Sequence, residues 1–163
     1  MSEHPSWPPL TSSFASPEEI PRLVYSEIEL SFAKILSGDS ARGFVPAYHF
    51  LMIGPATTEV GHINFRVGES RHLLMTAGHI GFGVHEEHRG HGYAYQACRA
   101  LEPFTLRHYN ALIFTVDPQN HPSLRTIEKL GASFINEVDV PPSEPAYERG
   151  ERRKRRYQWI TRS

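Results

Sequence analysis

A single cysteine, Cys98, stands in the 163-residue chain. A lone thiol closes no internal bridge, which excludes a disulfide scaffold of the secreted kind. No apolar run approaches the ~20 residues that cross a bilayer. The opening MSEHPSWPPL lacks the basic region followed by an apolar stretch that marks a secretory leader. Charge of one sign is not in excess either. The formal net charge is −1, so bulk electrostatics draws the chain to neither nucleic acid nor membrane. The expectation is a cytoplasmic protein. Its 39% hydrophobic and 11% aromatic content suffices for one core.

Residues 1–22 are rich in proline and serine and read as a loose arm with one short helix near Pro17–Ile20. Residues 23–163 then form one domain. Strand-like alternation begins at Val24, with Ile28, Leu30 and Phe32 on one face. Further strands are predicted over about 47–53, 59–67 and 75–84. From Gly92 to about His108 the period turns helical, with Ala94, Cys98, Leu101 and Thr105 on one face. Pro103 should kink this helix or end it early. A short buried strand follows at Leu112–Val116. Asn120 or His121 caps a second helix that starts at Pro122 and stops before Gly131. Strands over 133–138 and 154–161, separated by a loop over 141–150, complete the order. The predicted fold is α/β, of the α+β type: one mixed, mostly antiparallel sheet of about seven strands flanked by helices.

The most informative stretch is His79–Ala94, HIGFGVHEEHRGHGYA. It passes from strand to turn to helix start. Glycine in the turn lets backbone N–H groups close on a ligand. Those groups lie where a helix leaves donors without partners and its dipole is positive. A diphosphate suits such a place, and Arg89 adds a full charge at its mouth. The turn is not a Walker loop, since no Gly-Lys-Ser/Thr follows. It is not a dinucleotide fingerprint, since the glycine spacing is wrong and no βαβ unit surrounds it. Taken alone it also fits an ordinary strand-to-helix connection. Gly81 and Gly83 inside the preceding strand need a reason. An extended arm with amides could pair there as a peptide would, or the glycines admit a bulky neighbour from the next strand.

Arg89-Gly90-His91-Gly92-Tyr93-Ala94 resembles the acyl-coenzyme A signature of the GNAT N-acetyltransferases, Arg/Gln-x-x-Gly-x-Gly/Ala. The stretch Val116–Ala132, VDPQNHPSLRTIEKLGA, is similar to the second motif of that superfamily. GHIGFGV at 78–84 and RYQWI at 156–160 resemble a poorly characterised branch of predicted bacterial acetyltransferases. The resemblance spans about residues 23–161. It implies a V-shaped split in the sheet, with acetyl-CoA as co-substrate and its pantetheine arm along the fourth strand. The backbone of Arg89, Gly90, His91, Gly92, Tyr93 and Ala94 would take the pyrophosphate, and Asn120 would stand beside the pantetheine. The amide of Phe82 or Val84 would bind the thioester carbonyl as an oxyanion-hole donor.

The same resemblance implies direct attack of an amine on the thioester in a ternary complex. Many members carry a Tyr in the second helix as proton donor to the thiolate. Here Ile127 stands at that place, and Ser123 is the alternative donor as in the related ribosomal-protein branch. The hydroxyl of Ser123 also fits a helix-start bond to a backbone N–H. For the base, His79 is the first candidate, because an imidazole accepts protons near neutral pH and similar sequences turn this strand position toward the acceptor cleft. A structural histidine is the competing reading there, and Glu59, His62 and Glu137 are the fallbacks. Helical spacing puts Cys98 on the packed face, which speaks against a covalent acyl carrier.

His85, His88 and His91 with Glu86 and Glu87 have the chemistry of metal ligands. They lie in a turn whose backbone should face phosphate, so no metal is expected. Arg149–Arg156, RGERRKRR, is a basic run whose alternation in a strand would split its charge over two faces. The leading expectation is an N-acetyltransferase acting on a small-molecule or peptide amine, monomeric or homodimeric, with no nucleic-acid or membrane partner. A non-catalytic acyl-CoA sensor is the alternative, and an RNA-binding protein using the basic run is the third. The identity of the amine has no legible code.

Overall fold

Ser26 and Glu27 reverse the chain after only three residues of strand, so the first predicted strand is two. In the computed structural model, which describes residues 14–161, β1 (Leu23–Tyr25) pairs antiparallel with β2 (Ile28–Leu36), Tyr25 opposite Ile28. Ser26 takes a φ of 54°, the left-handed value that tight hairpin turns need. β3 (Ala47–Gly54), β4 (Thr58–Arg66) and β5 (Ile80–Val84) extend this into a five-stranded antiparallel sheet in sequence order. A second sheet holds β6 (Ala111–Val116), β8 (Arg153–Ile160) and β7 (Ser133–Asp139), with β8 in the centre.

Period-two patterning fixes which face is buried. Ile28 and Leu30 on β2, Tyr48, Phe50 and Met52 on β3, and Ile63 and Phe65 on β4 point to one side and are buried. Helix α1 (Tyr93–Thr105) covers that side with Ala97, Cys98, Leu101 and Phe104. The Phe104 ring meets Tyr48 edge-on at 4.9 Å between centroids, a favoured aromatic geometry. Pro103 falls in the last turn, and α1 ends soon after it at Thr105, short of His108, as expected. Helix α2 (His121–Lys129) buries Leu124 and Ile127, and Asn120 caps it by accepting from Ser123 N–H at 3.3 Å.

The fourth strand is shorter than its apolar run suggests. Leu73–Ala77 forms one wide helical turn instead, and Gly78 ends it with a φ of 75°. A side chain at Gly78 would come within 3.0 Å of Ile113 O and Thr115 N, so only glycine lets β5 start this close to β6. The two sheets touch here. His79 N–H donates to Ile113 O at 2.8 Å, and Ile113 N–H donates to His79 Nδ1 at 2.9 Å. Beyond this point β5 and β6 form no ladder, and a V opens between them.

The loop over 141–150 contains a short helix, α3 (Pro145–Glu148). Of the predicted arm, residues 1–13 lie outside the described residues. Its remainder includes a helical turn at Pro17–Glu19, and Phe14 stacks on Tyr48 at 4.4 Å. The basic run is less solvated than its charge suggests. Arg156 is fully buried, donating to Leu74 O at 2.8 Å and to Asn136 Oδ1 at 3.0 Å. Lys154 pairs with Glu151 at 2.6 Å, and Arg153 and Arg155 share Glu137. Those two guanidiniums hold the Glu137 carboxyl below its ordinary range. The run is thus largely spent on internal pairs. Among the described residues no helix is long and apolar enough to cross a membrane.

Candidate active site

The turn between β5 and α1 leaves a row of donors open. Gly90 and Gly92 take φ values of 90° and 74°, and Gly92 is the N-cap of the thirteen-residue helix α1. Its side of the helix has no side-chain cap. Among the described residues the N–H groups of Gly90, His91, Gly92, Tyr93 and Ala94 meet no protein acceptor. The first amide of the predicted set differs, since Arg89 N–H is taken by Glu86 O at 3.3 Å. Arg89 contributes its charge instead. Its Nε donates to Val84 O at 3.0 Å, which holds the guanidinium beside the turn. A β-carbon at Gly90 or Gly92 would meet nothing within 4 Å, so the space in front of these amides is open. Five successive open donors at a positive helix end have the geometry and charge that suit an anion.

The open edge of β5 continues from this turn. His85 N–H bonds Val60 O at 2.8 Å on the β4 side. Strand alternation then turns Gly81 and Gly83 toward β4, and Phe82 and Val84 toward the V. The main-chain N–H groups of Phe82 and Val84 therefore face the gap. The glycines of β5 have a separate cause. A β-carbon at Gly81 would lie 2.8 Å from the Arg66 guanidinium, and one at Gly83 would lie 2.8 Å from the His62 ring. They admit bulky side chains from β4, and the open edge belongs to the residues between them.

Two connected clefts fill the V. One, about 670 Å3, runs along Val84, Arg89, Gly92 and Tyr93. The other, about 1020 Å3, reaches Arg66, His72, Glu144 and Lys154. Phe82, Asn120 and Ser123 line both and mark the junction. The Asn120 side chain is the helix cap, so the hydroxyl of Ser123 is not needed for that role.

His79 is not where the base expectation needs it. Its side chain is fully buried, its Nδ1 accepts the Ile113 amide, and its ring packs on Tyr109 at 4.7 Å. Burial, together with the Arg66 charge, pushes its pKa down to about 3, against a smaller opposing effect of the Gly68 backbone. A base must reach the proton it takes, and this imidazole is enclosed between the sheets. Of the fallbacks, Glu59 is exposed and pairs with His85 at 3.2 Å, and Glu137 is held by two arginines. His62 packs across Gly83, and burial lowers its pKa. Among the described residues no three potential ligands converge as a metal site, and His91 stacks on Tyr93 at 5.2 Å.

Cys98 is fully buried on α1, and burial raises its thiol pKa well above the ordinary range. In the folded protein it should resist a thiol reagent that labels the unfolded chain within minutes. Rapid labelling of native protein, read by mass, would contradict this placement.

Several members of the cleft wall gave no sequence signal. His72 and Glu144 are 72 residues apart and meet at 2.6 Å. Arg66 lies under Gly81 and donates to Ala77 O and Gly78 O at 3.1 and 3.2 Å. Only the meeting of β4, the wide turn and the 141–150 loop brings them together.

A family model described as an acetyltransferase (GNAT) domain matches residues 9–133. The chain belongs to the GNAT acetyltransferase family. As a member it is an acyltransferase, an N-acetyltransferase using acetyl-CoA as co-substrate. Solved structures agree in fold. A ribosomal L7/L12 alpha-N-protein acetyltransferase, RimL, in complex with coenzyme A is 15% identical with a TM-score of 0.62, covering 85% of this chain and 96% of its own. A ribosomal-protein-S5-alanine acetyltransferase from Vibrio fischeri is 17% identical with a TM-score of 0.56, over 71% of this chain and 62% of its own. The microcin C7 self-immunity acetyltransferase MccE, in complex with acetyl-CoA and AMP, is 14% identical with a TM-score of 0.55, over 70% and 61%. No curated protein matches the chain by sequence.

Proposed function

We propose that this GNAT protein transfers the acetyl group of acetyl-CoA to a primary amine by direct attack in a ternary complex. The observation that carries this reading is the row of amides from Gly90 to Ala94, open at an uncapped helix start and continuous with the free edge of β5. The amides and Arg89 would hold the pyrophosphate, and Asn120 would flank the pantetheine. Phe82 or Val84 N–H would donate to the thioester oxygen as charge builds on it, which lowers the barrier without reorganisation. The amine nitrogen bonds to the carbonyl carbon and gives up its surplus proton to solvent, the C–S bond breaks, and the thiolate takes a proton from Ser123 at the junction of the clefts, which solvent then restores. An amine of either a small molecule or a peptide fits a polar cleft of about 1020 Å3.

Thermal unfolding with acetyl-CoA tests the coenzyme site. At 100 times Kd a ligand adds ~2.7 kcal/mol, which raises Tm by roughly 5–10 °C for a chain of this size. An unchanged Tm would remove the basis of the reading. A coenzyme-binding module without turnover is the competing reading. It is favoured by Ile127, which is buried in the core where many relatives carry the proton-donating Tyr. Release of free thiol from acetyl-CoA across a panel of amines separates the two.

A further inference from the structure

The large cleft is rich in charge, but most of that charge is committed. Glu151 is bound by Lys154 and Arg149, Glu137 by Arg153 and Arg155, and Asp117 Oδ1 by the Gln119 amide at 2.8 Å. The pair His72–Glu144 is different. Its two side chains, 17% and 15% exposed, join at 2.6 Å between Nδ1 and Oε1. Phe44 covers one side of the imidazole, 4.3 Å between ring centroids. Both residues line the same cleft as Phe82, Asn120 and Ser123. The other ring nitrogen, Nε2, bonds to no protein group among the described residues.

A carboxylate at one imidazole nitrogen sets the tautomer, placing the proton on Nδ1 and the lone pair on Nε2. It also stabilises the imidazolium formed when Nε2 takes a proton. A nucleophile's base, itself held by a third group, is the recurring arrangement for activating a weak nucleophile. The positions suit it. His72 precedes the wide turn that leads into β5, and Glu144 stands just before α3 in the connection from β7 to β8.

Resting on the acetyl-transfer reading above, we propose that His72 is the general base toward the incoming amine and that Glu144 is its positioning residue. As the N–C bond forms, the surplus proton of the amine passes to His72 Nε2 and from there to solvent. The electron pair of the C–S bond leaves with the thiolate, which is protonated through Ser123, whose hydroxyl regains its proton from solvent.

The test is thiol release from acetyl-CoA by the full chain, with α-amino acids, polyamines and short peptides with free N-termini as acceptors. The wild type first defines an accepted amine. If it binds acetyl-CoA but turns over none of these, the acetyl-transfer reading falls, and the base assignment with it. With an accepted amine, His72→Gln should lower kcat at least ~100-fold, the usual scale for a general base, while the Kd for acetyl-CoA stays within about threefold. His72→Ala should be partly rescued by added imidazole, which no structural tie would allow. Glu144→Gln keeps a hydrogen-bond partner for Nδ1 but loses the charge, and should lower kcat roughly tenfold with Tm unchanged. Full kcat in either glutamine variant, or loss of Tm without imidazole rescue, would make the pair a tether for the 141–150 loop and overturn the proposal.

Discussion

Gly92→Val should raise the Kd for acetyl-CoA at least ~100-fold, equivalent to about 2.7 kcal/mol. Gly92 caps α1 with φ 74° and ψ 22°, a conformation that a branched residue adopts only under strain. Within the protein a new β-carbon would meet nothing within 4 Å, so the folding cost is the strain alone, ~1–2 kcal/mol. The larger cost falls on the ligand. A valine side chain would occupy the space onto which the amides of Gly90–Ala94 open, and relief of its strain would turn those donors away from a common point. Gly131→Val provides the control. That glycine also has positive φ, 84°, and also has nothing within 4 Å of its notional β-carbon, but it lies outside both clefts. The two variants should lose similar stability in thermal melts, and only Gly92→Val should lose affinity in calorimetric titration. Equal affinities would mean that these amides do not grip the diphosphate.

His79→Ala should cost about 3 kcal/mol of stability, combining a cavity with an orphaned amide at Ile113. That corresponds to roughly 6–12 °C in Tm. The bond it removes is one of two that fasten β5 to β6 at the closed end of the V. The loss should also depend on pH. In the folded state burial holds the imidazole at a pKa of about 3, below its ordinary 6.5. Between those values the unfolded chain takes up a proton that the folded chain refuses. Stability therefore falls as pH drops from 6.5 toward 3, by up to ~1.4 kcal/mol per pH unit from this one group. Burial lowers the pKa of His62 and His108 as well, and both act in the same direction. Alanine removes the His79 contribution, so the stability gap between wild type and variant should be widest near pH 7 and narrow by pH 5. Denaturant titrations at the two pH values measure it, and a gap independent of pH would contradict a buried neutral imidazole. In this role His79 fixes the closed end of the V, enclosed away from the clefts.

The open amides of the turn between β5 and α1 were legible because their signals are local. Two glycines, an arginine and a helix start within six residues specify open amides whatever the rest of the chain does. The cap at Asn120 and the buried face of α2 follow in the same way from adjacent residues. Misreadings arose where a short pattern had two outcomes. The fourth strand is predicted from about Met75, but Leu73–Ala77 forms a helical turn that Gly78 ends, and β5 starts only at Ile80. For Gly81 and Gly83 the local pattern left two readings open, and the structure decides for the bulky neighbours, Arg66 and His62 from β4. His79 has the chemistry of a base, and only its depth between two sheets decides otherwise.

The chain's own order of residues determined the strand and helix pattern, the helix cap at Asn120 and the open amides between β5 and α1, because each depends on contacts spanning a few positions. The tertiary structure alone decided which imidazole lines the larger cleft and which is enclosed between the sheets. His79 and His72 are near in sequence, but one closes on Ile113 and the other on Glu144. Such pairings form only when distant segments pack, and neither periodicity nor spacing within a segment carries a record of them.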